Sequence, residues 1–330
     1  MAGGDAFLTM DDVDKQTDAN REKIFWARLS IYSNASLFFL KLIVGMLTLS
    51  ISVVSEALHT GIDLLAACMA TYAVHKSTKP PDKSHTFGHG KYEELSSMFE
   101  SILIILIGIA IIYGSSERLY DWYLNGALII AVDLGIAIML TSTVVNIFVS
   151  RKLHQIAKKH DSIAIEADAY HLSADVWTSL GVFIGLVVIR IGQIMGITNI
   201  EFIDPILALI IAVFILKTGY NLTKKSASGL LDANLPPEEE KEIKSVIESY
   251  FENYLEYHEL RLRKAGSERH IDLHLVVSKG MSIDDAHALC DRMECDLKSK
   301  IKNAKVMIHC EPCDGLCDGC RFDETGKRLG

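Results

Sequence analysis

Six long apolar segments lie within residues 1–221 and constrain the fold of this 330-residue chain more than any other feature. Each has close to the ~20 residues that an α-helix needs to cross the hydrocarbon core of a bilayer. A water-soluble fold would have to bury all six helices in one core. We therefore predict a polytopic α-helical membrane domain that has the lipid bilayer as its partner. The predicted spans are residues 27–49, 52–75, 94–116, 126–149, 164–190 and 201–221.

Basic residues are distributed unevenly between the ends of these segments. Lys and Arg cluster before the first segment, in the second-to-third and fourth-to-fifth loops, and after the sixth segment, whereas the other loops carry only Arg118 and Arg190. Loops rich in Lys and Arg stay in the cytoplasm. Both termini are therefore predicted to be cytoplasmic. Residues 1–24 are predicted to form a polar tail that lacks the features of a signal peptide, and the transmembrane domain is predicted to span residues 25–230.

A polar region with a different pattern begins at residue 231. Acidic residues crowd the first turn after the Pro pair in DANLPPEEEKEIKSV, as is typical of a helix start. The segments HELRLRKAG and RHIDLHLVVSK alternate apolar and polar residues and predict a β-hairpin. A second helix is predicted for SIDDAHALCDRMECDLKSKI, which begins with Ser282 and Asp285 in capping-box spacing, and a last strand for KVMIHCEP. The order α-β-β-α-β predicts a small α+β domain over residues 231–313, followed by a Cys-containing tail over 314–330.

The second and fifth apolar segments each contain a His and an Asp four residues apart. These are His59 and Asp63 in SEALHTGIDLLAA, and His171 and Asp175 in ADAYHLSADVWTSLG. This spacing places both side chains on one face of a helix, and a carboxylate inside a membrane is a functional candidate because its insertion costs at least ~2.5 kcal/mol. Two such pairs supply two nitrogen and two oxygen ligands, which suits tetrahedral Zn²⁺. The alternative is hydrogen-bonded contacts between helices, and Asp168 is a candidate acceptor beside this site.

Taken in order along the chain, these features resemble the cation diffusion facilitators, a family of divalent-metal/proton antiporters. The resemblance covers residues 25–313 and rests also on PDKSHTFGHGKYEEL between the second and third segments and on LLDANLP after the sixth. It implies export of divalent cations, above all Zn²⁺, in exchange for protons. Alternating access would occur around a transport site formed by His59, Asp63, His171 and Asp175. Imidazole ligands favour Zn²⁺ over harder ions, and Cd²⁺, Co²⁺, Fe²⁺ or a broad specificity are the alternatives.

The resemblance implies further metal sites outside the membrane. Asp82, His85 and His89 would form a loop site, with an exposed polar loop as the alternative. The α+β domain resembles a copper-chaperone-like, ferredoxin-like module that dimerises, which implies a homodimer with regulatory Zn²⁺ at its interface. The residues implied for this cytoplasmic site are His258, His274, His287, His309 and Glu311. Lys91 and Asp232 match a charge pair that, in relatives, ties the membrane helices to the cytoplasmic domain.

Four cysteines lie close together near the C-terminus in the segment HCEPCDGLCDGC. They are Cys310, Cys313, Cys317 and Cys320. Two C-x-x-C pairs are typical of a zinc or copper thiolate site, although the connecting loop is short for a single ion held by all four. Alternatively, Cys310 belongs to the same site as His309 and Glu311. An unstructured reduced tail is the remaining interpretation. A cytoplasmic position argues against structural disulfides.

Three classes of function are separated by these patterns. A membrane zinc enzyme would need an open coordination position and a general base; the sequence has no nucleophile motif or second catalytic constellation, so no enzymatic activity is predicted. A membrane-anchored metal sensor would not need paired ligands in two spans. We therefore expect a transporter, integral to a bacterial or archaeal inner membrane, whose ligands are divalent cations and protons and which has no nucleic-acid partner.

Overall fold

The structure, a computed structural model, describes residues 10–48, 51–125, 133–195 and 202–313. Internal contacts divide the chain into two units, Met1–Ala227 and Ser228–Gly330. Long helices form the N-terminal unit, and the C-terminal unit contains a sheet with helices. The domain boundaries drawn from the sequence stay predictions.

Within its described residues, the N-terminal unit contains six long helices, and each overlaps one predicted span. They are α1 (Met10–Thr48), α2 (Ile51–Ser77), α3 (Tyr92–Asn125), α4 (Asp133–His160), α5 (Ile163–Ile194) and α6 (Ile203–Leu230). Three stretches of the described residues are by themselves long and apolar enough to cross a membrane. These are Asp18–Val44, Tyr92–Leu124 and Pro205–Leu230.

Helix α1 begins well before the first predicted span. It starts at Met10 and therefore includes much of the polar segment that was predicted to be a tail. This segment contains no Gly or Pro after Met10, and Lys23 and Ala27 are already buried. Once packed turns have nucleated a helix, each further residue adds one hydrogen bond, so the helix extends through polar residues. The beginning of the fourth predicted span, residues 126–132, lies outside the described residues.

Helices α3 and α6 approach each other closely at two glycines. A Cβ atom added at Gly108 would lie 2.8 Å from a side-chain carbon of Leu216. A Cβ atom added at Gly219 would lie 2.8 Å from Ile105 Cγ1 and 3.3 Å from the Ile105 backbone nitrogen. Small residues permit this close approach between membrane helices, where dispersion contacts replace the hydrophobic effect as the source of association.

Replacing Gly219 by Val is expected to lower the free energy of unfolding by about 1–3 kcal/mol, because the added atoms force α3 and α6 apart. The same substitution at Gly114, where an added Cβ meets nothing within 4 Å, is the matched control. Equilibrium denaturation in mixed micelles measures both variants. Equal losses at the two glycines would contradict a specific approach of α3 and α6.

The C-terminal unit has the predicted order α-β-β-α-β. Its elements are α7 (Pro237–Ser249), β1 (Glu256–Ala265), β2 (Glu268–Val277), α8 (Ile283–Lys300) and β3 (Ala304–Pro312). The sheet order is β1-β2-β3, with β1 antiparallel and β3 parallel to β2. Helix α8 is therefore the crossover that a parallel pair requires. Ser282 caps this helix as predicted, since its hydroxyl oxygen accepts a hydrogen bond of 3.1 Å from the Asp285 backbone nitrogen.

One face of the sheet is covered by helices and the other carries polar side chains. Along β2, Ile271, Leu273 and Leu275 are buried in one hydrophobic cluster with Leu289 of α8. Successive side chains of a strand point to opposite faces. His274 therefore lies on the open face of the sheet, where the residues next to it on the neighbouring strands can reach it.

Candidate metal centres

Helices α2 and α5 bring three predicted transport ligands together. His171 Nε2 lies 2.9 Å from Asp63 Oδ1, and Asp63, His171 and Asp175 each offer a ligand atom within 4.8 Å of the others. Their exposed fractions are 4%, 1% and 9%. We call these three residues the intramembrane cluster. The side chain of His59, the fourth predicted ligand, lies outside the described residues, while the α2 backbone passes through this position one turn before Asp63.

Small buried side chains on both helices permit the two ligand-bearing faces to approach. Ala73 of α2 is buried in one hydrophobic cluster with Ala164 and Ala169 of α5. The intramembrane cluster thus presents imidazole and carboxylate groups at distances that one ion can bridge. A ligand His must be neutral and a ligand Asp ionised, so protons and metal ions compete for the same atoms.

Asp82 anchors the predicted loop site. Its Oδ1 accepts hydrogen bonds from the Ser84 hydroxyl at 2.7 Å and from the backbone N–H groups of Ser84 and His85 at 2.8 Å each. The Ser84 hydroxyl, and then the His85 backbone, hold the pKa of Asp82 well below its usual range. Its Oδ2 lies 3.2 Å from Nε2 of the buried His89. Asp82, His85 and His89 offer ligand atoms within 4.8 Å of one another, so the structure brings all three predicted residues together.

The register of the sheet aligns three predicted ligands of the cytoplasmic site. His258 on β1 lies opposite His274 on β2, and His274 lies opposite His309 on β3. Glu311, two residues after His309 on the same face, has Oε1 2.8 Å from His274 Nδ1 and 3.4 Å from His309 Nε2. Its Oε2 lies 3.5 Å from His258 Nε2. Four of the five predicted residues therefore meet on the open face of the sheet, and we call them the histidine row.

The fifth predicted residue, His287, lies apart from the histidine row within one chain. It belongs to α8, its side chain is 73% exposed, and its Nε2 lies 3.6 Å from Asp291 Oδ2. Glu259 approaches the row instead, with Oε2 3.8 Å from His274 Nε2. Alternation along a regular strand would place Glu259 on the face opposite to His258. A register shift after His258 and a φ of 48° at Glu259 change the direction of the Glu259 side chain, as bulges do. The alternation of apolar and polar residues in the sequence does not indicate this irregularity.

Cys310 faces away from the histidine row. It packs against the hydrophobic cluster on the helix-covered side of the sheet, and the Cys290 thiol of α8 is hydrogen-bonded to it. Burial, and then the neighbouring Cys310, raise the pKa of Cys290 to about 12. Cys310 is thus separated from its sequence neighbour His309 by the sheet itself. Cys313 follows β3, and Cys317 and Cys320 lie outside the described residues, so the thiolate site stays a prediction.

The two residues of the predicted charge pair belong to different units. Lys91 directly precedes α3 and Asp232 follows α6. Within the C-terminal unit, Arg263 Nη1 donates a hydrogen bond of 3.2 Å to Asp232 Oδ1. The pairing of Lys91 with Asp232 stays a prediction.

Sequence patterns gave no indication of a buried ion pair in the helical unit. Lys23 Nζ of α1 lies 3.2 Å from Glu93 Oε1 of α3, and their side chains are 5% and 1% exposed. Ser77 Oγ, at the end of α2, donates to Glu93 Oε1 at 2.8 Å, and Ser162 Oγ, just before α5, donates to Oε2 at 2.5 Å. Glu93 therefore connects four segments at the end of the unit that carries the basic loops. The ion pair spans 70 residues of sequence, which no local pattern can reveal.

In comparisons with known proteins, the two units match two domains of the same kind of protein. Residues 27–231 match the family described as the cation efflux transmembrane domain, and residues 235–313 match the cytoplasmic domain of cation efflux proteins. The uncharacterized transporter sll1263 of Synechocystis sp. is 33% identical over 287 residues, which cover 87% of this chain and 89% of the relative. The cation-efflux pump FieF of Serratia proteamaculans is 27% identical over 283 residues, with 86% and 90% coverage. A solved structure of CzrB, a candidate zinc transporter, in a zinc form is 34% identical, covers 26% of this chain and 96% of that chain, and has a TM-score of 0.24.

Proposed function

Because this chain belongs to the cation efflux family, the cation diffusion facilitators, we propose that it exports Zn²⁺ from the cytoplasm in exchange for protons. Membership makes it a membrane-embedded cation efflux transporter with a helical transmembrane domain and a C-terminal α+β domain. The family consists of transporters and is not a class of enzymes.

The observation that carries the proposal is the intramembrane cluster. One imidazole and two carboxylates, buried on two helices, meet within 4.8 Å of one another. His59, one turn before Asp63 on α2, would complete a set of two nitrogens and two oxygens. Zn²⁺ accepts this set in tetrahedral geometry, and the imidazoles favour it over Mn²⁺ or Mg²⁺.

Proton coupling follows from competition for the ligands themselves. A proton on His171 or Asp63 removes a lone pair or a negative charge that the metal ion needs. If the cluster faces the cytoplasm and the outside alternately, protons displace the ion on one side and leave on the other. Rocking of helices around a fixed site is the general way in which transporters achieve this alternation.

The other metal centres are proposed to regulate transport. A resident Zn²⁺ fits the histidine row, because His258, His274 and Glu311 offer ligand atoms within 4.8 Å of one another and His309 lies beside Glu311. There it would link three strands and stabilise one arrangement of a homodimer. This binding changes transport only if the cytoplasm-facing and outward-facing states of the transporter differ in their affinity for zinc at the row. His287 would add a ligand at the dimer interface. We propose the same accessory role for the loop site of Asp82, His85 and His89.

The protein is proposed to reside in a bacterial or archaeal inner membrane, with both termini in the cytoplasm.

A broader divalent specificity is the second candidate. The relative from Serratia is called a cation-efflux pump without a named metal, and ligand type alone admits Cd²⁺, Co²⁺ and Fe²⁺ at the cluster. A membrane-anchored sensor would leave the buried ligands on α2 and α5 without a role.

Purified protein in proteoliposomes tests the proposal. We expect Zn²⁺ flux that increases with an imposed proton gradient and that falls when an ionophore collapses the gradient, because each transported ion exchanges with protons. Competition with Cd²⁺, Co²⁺ and Fe²⁺ ranks the metals in the same assay. Flux that does not respond to the gradient would contradict antiport. Half-inhibition of Zn²⁺ flux by Fe²⁺ or Co²⁺ at a concentration below that of Zn²⁺ would favour the second candidate.

A further inference from the structure

Glu100 and Asp168 form a second pair of buried acids in the helical unit. Glu100 of α3 is 0% exposed and Asp168 of α5 is 2% exposed, and Ile104, one turn beyond Glu100, is buried in one hydrophobic cluster with Ala167, which precedes Asp168. Glu100 Oε2 and Asp168 Oδ1 are both buried without a hydrogen-bond partner. The other Glu100 oxygen, Oε1, accepts a long hydrogen bond of 3.4 Å from Ser96 Oγ.

Such a pair is costly unless something compensates its charge. A buried polar atom without a hydrogen bond loses the solvation it had in water, and a buried ionised group loses far more. Two carboxylates buried on helices that pack against each other add mutual repulsion. Their two unpartnered oxygens are therefore available to a cation.

The position of the pair relates it to the transported ion. Glu100 lies seven residues beyond Glu93, or ~10.5 Å along α3, and Asp168 precedes His171 by three residues, or ~4.5 Å along α5. Residues three apart are neighbours on the surface of a helix, so Asp168 lies beside His171 of the intramembrane cluster on α5. Acidic groups thus occur at three successive levels, from Glu93 at the end with the basic loops, through Glu100 and Asp168, to the cluster.

We propose that Glu100 and Asp168 form a second divalent-cation site, which the transported ion occupies between the cytoplasm and the intramembrane cluster. This inference rests on the proposed function, since it concerns the path of the same ion. The site offers only carboxylate oxygens, with water completing the coordination, whereas the cluster adds imidazole nitrogen. A transit site has to bind strongly enough to admit the ion and weakly enough to release it, and two protein ligands meet this requirement.

The Glu100→Gln variant tests the site, because it removes the charge at nearly constant volume. With Zn²⁺ supplied on the cytoplasmic side of proteoliposomes, we expect KM to rise about 10-fold with little change in kcat. Glu94→Gln is the matched control, because Glu94 is a buried acid of the same helix, 2% exposed, and should leave KM unchanged. Equal effects of the two variants would overturn the site. So would an unchanged KM in Glu100→Gln, whether or not that variant loses its dependence on the proton gradient.

A binding measurement separates this proposal from the proposed function. Equilibrium dialysis with Zn²⁺ compares Asp63→Asn with the double variant Asp63→Asn, Glu100→Gln, neither of which has to transport. We expect the double variant to bind one ion fewer per chain. This result would support the site even if Asp63 proved dispensable for transport, and equal binding by the two variants would overturn it. Matching thermal unfolding of the two variants in micelles ensures that folded proteins are compared.

Discussion

Replacing Asp63 by Asn is expected to reduce Zn²⁺ transport at least about 100-fold, because changes in the partners of metal ligands alone cost 10–100-fold and this change removes a ligand charge. Asn keeps the volume and one oxygen of the original side chain. Asp63 is 4% exposed and lies 2.9 Å from His171 Nε2, so the substitution leaves no cavity. The loss should therefore appear in transport and not in folding.

Initial rates of Zn²⁺ flux in proteoliposomes measure this effect, with size-exclusion profiles and thermal unfolding to establish that the variant is folded. Asp121→Asn is the matched control, because it makes the same chemical change at an exposed position of α3 and should retain the flux of the original protein. Near-normal flux in Asp63→Asn would show that the intramembrane cluster is not the transport site.

Periodicity accounts for those parts of the fold that depend on local spacing. Runs of ~20 apolar residues predict membrane helices whatever they pack against, and alternation in β2 predicts a strand with one buried face. The spacing of His171 and Asp175 places both on one side of α5. It carries no information on which helix faces them; the meeting of α5 with Asp63 was predicted from the matching His–Asp pair on α2 and from the family resemblance.

Long-range and irregular features are the ones that the sequence did not reveal. The Lys23–Glu93 ion pair joins α1 to α3, and a Glu near a loop is ordinarily read as solvated. Glu259 reaches His274 through a break in the regular strand. Glu100 did carry a signal, because an acidic residue inside an apolar segment is a functional candidate. Its pairing with Asp168 became evident only when α3 and α5 were seen side by side.

Replacing Glu93 by Ala is expected to lower the free energy of unfolding by about 3–5 kcal/mol, because removal of one member of a buried ion pair leaves the other uncompensated. Lys23 Nζ would lose its acceptor at 3.2 Å, and the hydroxyls of Ser77 and Ser162 would lose theirs at 2.8 and 2.5 Å. Equilibrium denaturation in mixed micelles measures the change. Four segments depend on this one carboxylate, so the loss should spread over the whole end of the helical unit.

Two further variants show whether burial is the cause. Lys225 and Glu166 form a shorter ion pair, 2.6 Å, but their side chains are 51% and 27% exposed, so Lys225→Met should cost about 1 kcal/mol or less. The double variant Lys23→Met, Glu93→Gln removes both buried charges while the Gln amide oxygen still accepts a hydrogen bond from a neighbouring serine. Replacing a whole buried pair by uncharged groups is often close to neutral, so this variant should regain most of the stability that Glu93→Ala loses. If the double variant is as unstable as Glu93→Ala, the lost hydrogen bonds and not the uncompensated charge account for the loss of stability. If Lys225→Met lowers the free energy of unfolding as much as Glu93→Ala does, burial of the Lys23–Glu93 pair is not the cause of its effect.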